Sequence, residues 1–195
     1  MNLLLTLTAL LLSYALGSIP TGLWLGLWLR KIDIREHGSK NIGATNTMRV
    51  LGKKLGAIAL AGDVAKGIVP VVLLARLGTW EHLPLACGLA AILGHTFSLF
   101  LKFNGGKGVA TSTGVFLALA PIPMLAGAVV FAIVVAATRM VSAGSVSGAA
   151  AVCLAAFLAP LSVPVRVVAV AVAALVMVKH RSNIKRILRG EENKI

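Results

Sequence analysis

The chain has 195 residues, 58% of them hydrophobic, and carries 19 Lys and Arg against 6 Asp and Glu, a formal net charge of +13. Its mean hydropathy of +0.93 excludes an ordinary water-soluble domain, whose apolar share is roughly 45–50%. Nucleic-acid binding is excluded as well, because the clustered cations are almost free of the aromatic side chains on which bases stack.

The charges are gathered into short clusters separated by long apolar stretches. The pattern predicts an all-α polytopic membrane protein, a bundle of about seven transmembrane helices in a single domain covering 1–195, with a short basic tail from about 179. The expected spans are Leu3–Leu29, Leu55–Leu77, Leu83–Leu101, Val109–Ala120, Met124–Ala137, Ser145–Ala159 and Val165–Val178. Several fall short of the roughly 20 residues of an ideal span, so they extend into polar flanks or sit where the bilayer thins. Pro121 and Pro123 divide the fourth from the fifth, and Pro160 and Pro164 the sixth from the seventh.

The first span lacks a basic leader and stays apolar beyond the roughly 15 residues of a signal core, so it is expected to remain in the protein. Its Gly17-Ser18-Ile19-Pro20-Thr21-Gly22 predicts a kink, since proline removes a backbone hydrogen bond. Small residues here also suit close helix packing.

The loop that follows, Gly38-Ser39-Lys40-Asn41-Ile42-Gly43-Ala44-Thr45-Asn46-Thr47-Met48-Arg49, is dense in polar groups. Asn46 is expected to cap a short helix carrying Arg49 on its first turn. The planar guanidinium suits a phosphate monoester, with Ser39, Lys40, Asn41, Thr45 and Asn46 as further candidate ligands. Lys53 and Lys54 read as solvated charges.

Asp63 and Lys66 share a helix face at i and i+3 inside the second span, as an ion pair between helices or as a substrate site. In the third span His95 lies two turns before a glycine loop and is placed to orient it. Phe103-Asn104-Gly105-Gly106-Lys107-Gly108-Val109-Ala110-Thr111 then offers glycines, a lysine and the N-terminus of a following helix. Either it cradles an anion, with Gly105, Gly106 and Lys107 as ligands, or it is a tight turn with a snorkelling lysine. It is not a nucleotide loop, because Gly108 follows Lys107 where Ser or Thr belongs.

Ser142-Ala143-Gly144-Ser145-Val146-Ser147-Gly148 places Ser142 and Ser145 at the start of the sixth span, without the serine a nucleophile elbow requires at its centre. His180 and Asn183 in the tail are one helical turn apart. Cys87 and Cys153 lie in apolar spans, and the histidines form no cluster, so neither metal nor cofactor is expected. The cations fall almost entirely on one set of loops and the tail, while the other face keeps Arg76 and Arg166. By the positive-inside rule the N-terminus is outside and the C-terminus cytoplasmic, with the polar clusters on one cytoplasmic rim.

These segments support a resemblance. GSIPTG, GSKNIGATNTMR, GDVAKG, GHTFSLFLKFNGGKGVAT and KHRSNIKRILRGEE occur in order across nearly the whole chain. It is similar to the bacterial acyl-phosphate:glycerol-3-phosphate acyltransferase family. The resemblance implies a cell-membrane enzyme that moves a fatty acyl group from acyl phosphate to glycerol 3-phosphate, giving lysophosphatidic acid and phosphate. It gives functional weight to Ser39 and Arg49, makes Gly105, Gly106 and Lys107 the phosphate site, and assigns roles to His180, Asn183 and the acidic Glu191.

The expected mechanism is direct attack of the glycerol hydroxyl on the acyl carbonyl. Lys107 and Arg49 hold phosphates, and backbone N–H groups of the glycine loop or the Ser145 region stabilise the oxyanion. The base is His180 or, preferably, a phosphate oxygen of the substrate. The expected partners are glycerol 3-phosphate, acyl phosphate and membrane lipids. A transporter of phosphorylated solutes is the alternative, although it would place its ligands near the midplane of repeated halves.

Overall fold

The computed structural model describes residues 2–195, and among them there is no β-strand. The chain runs through α1 (Leu3–Ser18), α2 (Thr21–Leu25) with a π-turn at Gly26–Arg30, α3 (Ala44–Leu51), α4 (Lys53–Val72), α5 (Leu83–Thr96), α6 (Val109–Leu119), α7 (Pro121–Thr138), α8 (Val141–Leu158), α9 (Val163–Lys179) and α10 (Arg181–Leu188). Short 3₁₀ turns cover Leu74–Leu77 and Leu99–Leu101.

The seven apolar segments are all helical, but they differ as spans. Four qualify by length and composition: Lys53–Leu77, Leu83–Leu101, Pro121–Thr138 and Val141–Leu158. Two more qualify as bent pairs, α1 with Thr21–Arg30 at 47° and α9 with α10 at 60°. The fourth expected span is only the 11-residue α6; at 1.5 Å per residue it is about half the hydrocarbon thickness. The fifth and seventh begin earlier than expected because Pro121 and Pro164 sit in the first helical turn, where the missing N–H has no partner to lose.

The residues group into two compact units, one ending at Ala118 and the other Leu119–Ile195. In the first, α1 lies along α5, and α4 contacts α1, α2, α3 and α5. Side chains would block several of these approaches: a Cβ on Gly17 would strike Ala91, one on Gly94 the Tyr14 carbonyl, and one on Gly67 the Thr111 carbonyl. In the second, α8 packs on α7 and α9, and α10 touches α8 and α9.

Burial departs from the soluble pattern on both sides, although an apolar core remains. Ile122, Leu4 and Leu11 are 75%, 73% and 70% exposed, whereas Thr6, Ser13, Ser18, Asp63, Lys66, His95, Thr96 and Ser98 are buried. Apolar side chains facing outward gain from lipid, and buried polar groups must find partners within the protein. Ser13 and Ser18 donate to the carbonyls of Ala9 and Tyr14 four residues back, at 2.6 and 2.8 Å.

Candidate active site

The polar loop after the first span is folded around one side chain. Asn46, 1% exposed, donates from Nδ2 to the carbonyls of Ile34 (2.8 Å), Asn41 (2.8 Å) and His37 (3.2 Å). Its Oδ1 accepts from the Ser39 N–H at 2.7 Å. A Cβ on Gly38, whose φ is +59°, would run into that same Oδ1. Asn46 therefore does not cap a helix, and its amide is saturated by the loop's backbone. The helix begins instead at Ala44, after the Gly43 N–H has bonded Asn41 Oδ1 at 2.8 Å. Arg49 consequently lies in the last turn of α3 rather than its first, on an exposed face. Ser39 and Thr45 are part-exposed and Lys40 is exposed, in the left-handed region at φ 57°. Ile34, fully buried with Leu23 and Ile42, anchors the loop against the first span. The Arg35 guanidinium 2.6 Å from Asp33 holds that carboxyl below its ordinary range.

Asp63 and Lys66 form a buried ion pair at 2.8 Å, 2% and 4% exposed. Lys66 Nζ also donates to the Ile19 carbonyl at 2.6 Å, and Thr21 Oγ1 donates to Asp63 Oδ1 at 3.1 Å. The pair thus brackets Pro20, where the first span breaks. A cation there meets the carbonyl end of α1, the favourable sense of the helix dipole. Nothing in the motif pattern identified Thr21 as the third member.

The glycine loop is tied to the end of α5. The Gly106 N–H donates to the His95 carbonyl at 3.0 Å and the Gly105 N–H to the Thr96 carbonyl at 3.2 Å. These two N–H groups, expected to cradle an anion or oxyanion, are instead occupied by carbonyls left over at a helix C-terminus. The glycines serve close approach: a Cβ on Gly105 would strike the His95 carbonyl, and one on Gly106 would enter the imidazole. The part-exposed Lys107 follows, then Gly108 at φ +81°, which turns the chain into α6. The N-terminal end of α6, which follows Gly108, remains the part of this segment suited to an anion. Upstream, Ser98 Oγ donates to the Ser18 carbonyl and Tyr14 OH to the Phe97 carbonyl, both at 2.5 Å. These bonds fix the loop's entry to α1.

In the second unit one carboxylate gathers three partners. Glu192 accepts at Oε1 from Asn183 Nδ2 (2.7 Å) and Ser142 Oγ (2.9 Å), and at Oε2 from Arg186 Nε (2.8 Å). Burial pushes its pKa up, but these hydrogen bonds and the Arg186 charge outweigh that, and the net direction is down. The acidic residue picked out by the resemblance was Glu191, which is exposed; Glu192 is the one that turns inward, after Gly190 at φ +72°. Two adjacent glutamates gave no sequence signal to choose between them.

His180 is buried, with Nδ1 2.8 Å from the Val176 carbonyl. A carbonyl only accepts, so Nδ1 carries a proton in this contact. Ser145 Oγ donates to the Val141 carbonyl at 2.8 Å. Because α8 starts at Val141, the Ser145 N–H is an interior ladder position, and the open N–H groups are those of the first turn. Within the Ser145 region, the N–H groups open to an oxyanion are thus those just before Ser145. Among the described residues no group of three His, Cys, Asp or Glu side chains is arranged to hold a metal.

Comparison with known proteins identifies the scaffold. The glycerol-3-phosphate acyltransferase family model matches residues 7–190. Proteins named glycerol-3-phosphate acyltransferase from Trichlorobacter lovleyi and Geobacter sulfurreducens are 50% identical over 182 residues and 47% over 187, each alignment covering 93% of both chains. One from Listeria monocytogenes is 46% identical over 188 residues, covering 95% of this chain and 94% of its own. Crystal structures of PlsY (YgiH), an integral membrane glycerol 3-phosphate acyltransferase, match with 36% identity over 97% of this chain and 95% of theirs. The TM-score is 0.90 for the glycerol 3-phosphate form and 0.88 for the lysophosphatidic acid form. The chain is an integral membrane acyltransferase and belongs to the glycerol-3-phosphate acyltransferase family.

Proposed function

We propose that the chain transfers a fatty acyl group from acyl phosphate to glycerol 3-phosphate, directly and without an acyl-enzyme. The acceptor hydroxyl oxygen forms a bond to the acyl carbon, and the bond from that carbon to the phosphate oxygen breaks. Phosphate leaves, and the hydroxyl proton passes to a phosphate oxygen of the substrate. The two forms of the solved relative are named for an acceptor and its monoacylated product, which supports this pair of ligands.

The observation that carries direct transfer is the state of the hydroxyls. Ser145 donates its proton to a backbone carbonyl and Ser142 donates to Glu192, so neither is presented to a histidine base in the way an activated nucleophile requires. A mixed anhydride needs no such nucleophile, since phosphate is already a good leaving group. Arg49 and Lys107 are assigned to the phosphates. Ser39, Lys40, Asn41 and Thr45 line the loop from which Arg49 emerges, and Asn46 holds that loop. His180, held through Nδ1 by the Val176 carbonyl, and Asn183, oriented by Glu192, are assigned to substrate contact. Residues 1–195 act as one catalytic domain in the cell membrane, N-terminus outside, with the chemistry on the cytoplasmic side where the cations concentrate.

Purified protein in lipid, given acyl phosphate and glycerol 3-phosphate, should form lysophosphatidic acid. A strict requirement for acyl-CoA would overturn the donor assignment. Uptake of labelled glycerol 3-phosphate into vesicles without conversion would favour a transporter instead.

A further inference from the structure

We propose that His95 is a positioning residue whose ring, wedged between Asp63 and Gly106, sets the glycine loop and with it Lys107. The inference rests on the reading above of that loop as a phosphate site. Its basis is geometric. His95 is buried at the end of α5, with Nδ1 3.9 Å from Asp63 Oδ1, beyond hydrogen-bond length. The opposite edge faces the loop: the three nearest atoms that a Cβ on Gly106 would meet are Nε2, Cε1 and Cδ2 of this ring. The His95 carbonyl accepts from the Gly106 N–H. One residue thus fixes Gly106 from two sides, by its backbone and by its ring.

The ring's far side is itself held. Asp63 is paired with Lys66 and bonded by Thr21, and Lys66 reaches Ile19 across the break in the first span. The position of Lys107, one residue beyond Gly106, therefore depends on a buried chain linking α4, α5 and the Pro20 break. Gly106 needs no special backbone angle; it is glycine because the imidazole occupies the space of a side chain. Gly105 differs, since the obstacle to its Cβ is the His95 backbone.

That contrast supplies a test by steric complementation. Kinetics are measured on full-length Gly106→Ala, Gly105→Ala, His95→Ala and the doubles Gly106→Ala/His95→Ala and Gly105→Ala/His95→Ala, in lipid. Gly106→Ala and His95→Ala should each raise KM for the phosphorylated substrates by about tenfold with a smaller change in kcat. In the double, Gly106→Ala should add nothing to the effect of His95→Ala, because the ring it displaces is gone. Gly105→Ala should stay as damaging in either background. Equal damage from Gly106→Ala with and without the ring would overturn the proposal. So would a loss of kcat in proportion to folded protein with KM unchanged, the signature of a merely structural role. Where His95→Ala fails to fold, His95→Asn leaves room for the Cβ and retains a polar edge toward Asp63. Lys107→Ala separates the two readings: if it leaves KM unchanged, the phosphate-site assignment fails and the proposal falls with it.

Discussion

Asn46→Ala is the change from which the structure predicts most. It removes one acceptor, for the Ser39 N–H, and the two amide protons shared among the carbonyls of Ile34, Asn41 and His37. Those groups are not equally vulnerable. Ile34 is 0% exposed, so its carbonyl has no water to turn to and carries the full penalty of a buried unsatisfied group, about 1–3 kcal/mol. Ser39, Asn41 and His37 are partly or fully exposed, and water recovers part of what they lose. The ordered loop should therefore be weakened by on the order of 2–4 kcal/mol. The helices keep their own packing, so the damage is local. If the native loop is ordered by a comparable margin, the competent fraction falls to about half; each further 1.4 kcal/mol or so by which the loss exceeds that margin lowers it, and kcat/KM with it, about tenfold.

Two measurements check this: acyl-transfer kinetics, and hydrogen exchange across residues 33–46 with far-UV dichroism as the control. Exchange should rise in that loop while helix content is unchanged. Asn46→Asp keeps the acceptor for Ser39 but turns oxygen toward three carbonyls, so it should be no better than Ala. The reasoning is refuted if Asn46→Ala raises KM while loop protection is unchanged, because Asn46 would then be touching substrate, as its motif position led us to expect.

Other outcomes follow from the same geometry. Arg49→Lys keeps the charge but loses the planar fork, so kcat/KM should fall by about tenfold or more, whereas Lys53→Ala on the exposed start of α4 should do little; equal effects would reduce the basic face to a general attractor. Glu192 has a lowered folded pKa, so its stabilising contribution is present above the ordinary carboxylate pKa and is lost as pH falls through the folded value. Acid unfolding followed by dichroism should accordingly be less pH-dependent in Glu192→Gln, and an unchanged profile would deny the carboxylate that role. Enzyme incubated with acyl phosphate alone should show no added acyl mass; a stoichiometric adduct discharged by glycerol 3-phosphate would establish a covalent intermediate.

The architecture was legible because apolar runs and charge clusters obey a solvent constraint that acts residue by residue. Helix ends were less legible. Pro121 and Pro164 do mark the breaks between helices, but each sits inside the first turn of the next one, so α7 and α9 begin earlier than expected, and α6 is a short helix of 11 residues. The site was legible as a set of motifs but not as a set of jobs. Asn46 and Arg49 look alike as polar residues near one glycine, yet one is saturated by four backbone groups and the other lies on an exposed face of α3. That difference depends on where Ile34 anchors the loop, a contact between residues 12 apart. Glu192 reaches Ser142 across 50 positions, a distance over which local pattern carries no information.

The arrangement of hydroxyl groups bears on why the donor should be an activated acyl group. In a lipid-embedded bundle a buried hydroxyl needs a partner, and the nearest acceptor is usually a carbonyl four residues back. Ser13, Ser18, Thr113, Thr138 and Ser145 all take that course. A hydroxyl bonded this way is pinned with its proton directed into the helix. Making it a nucleophile would require a competing base and a vacated carbonyl, both unfavourable away from water. Leaving the serines as packing groups and drawing reactivity from a mixed anhydride avoids that conflict. With the proposed acyl-phosphate donor, the protein's task would be to hold two phosphates in register. Cations on loops braced by Asn46 and by the end of α5 suit that task, and it is there that substitutions should be felt in kcat/KM.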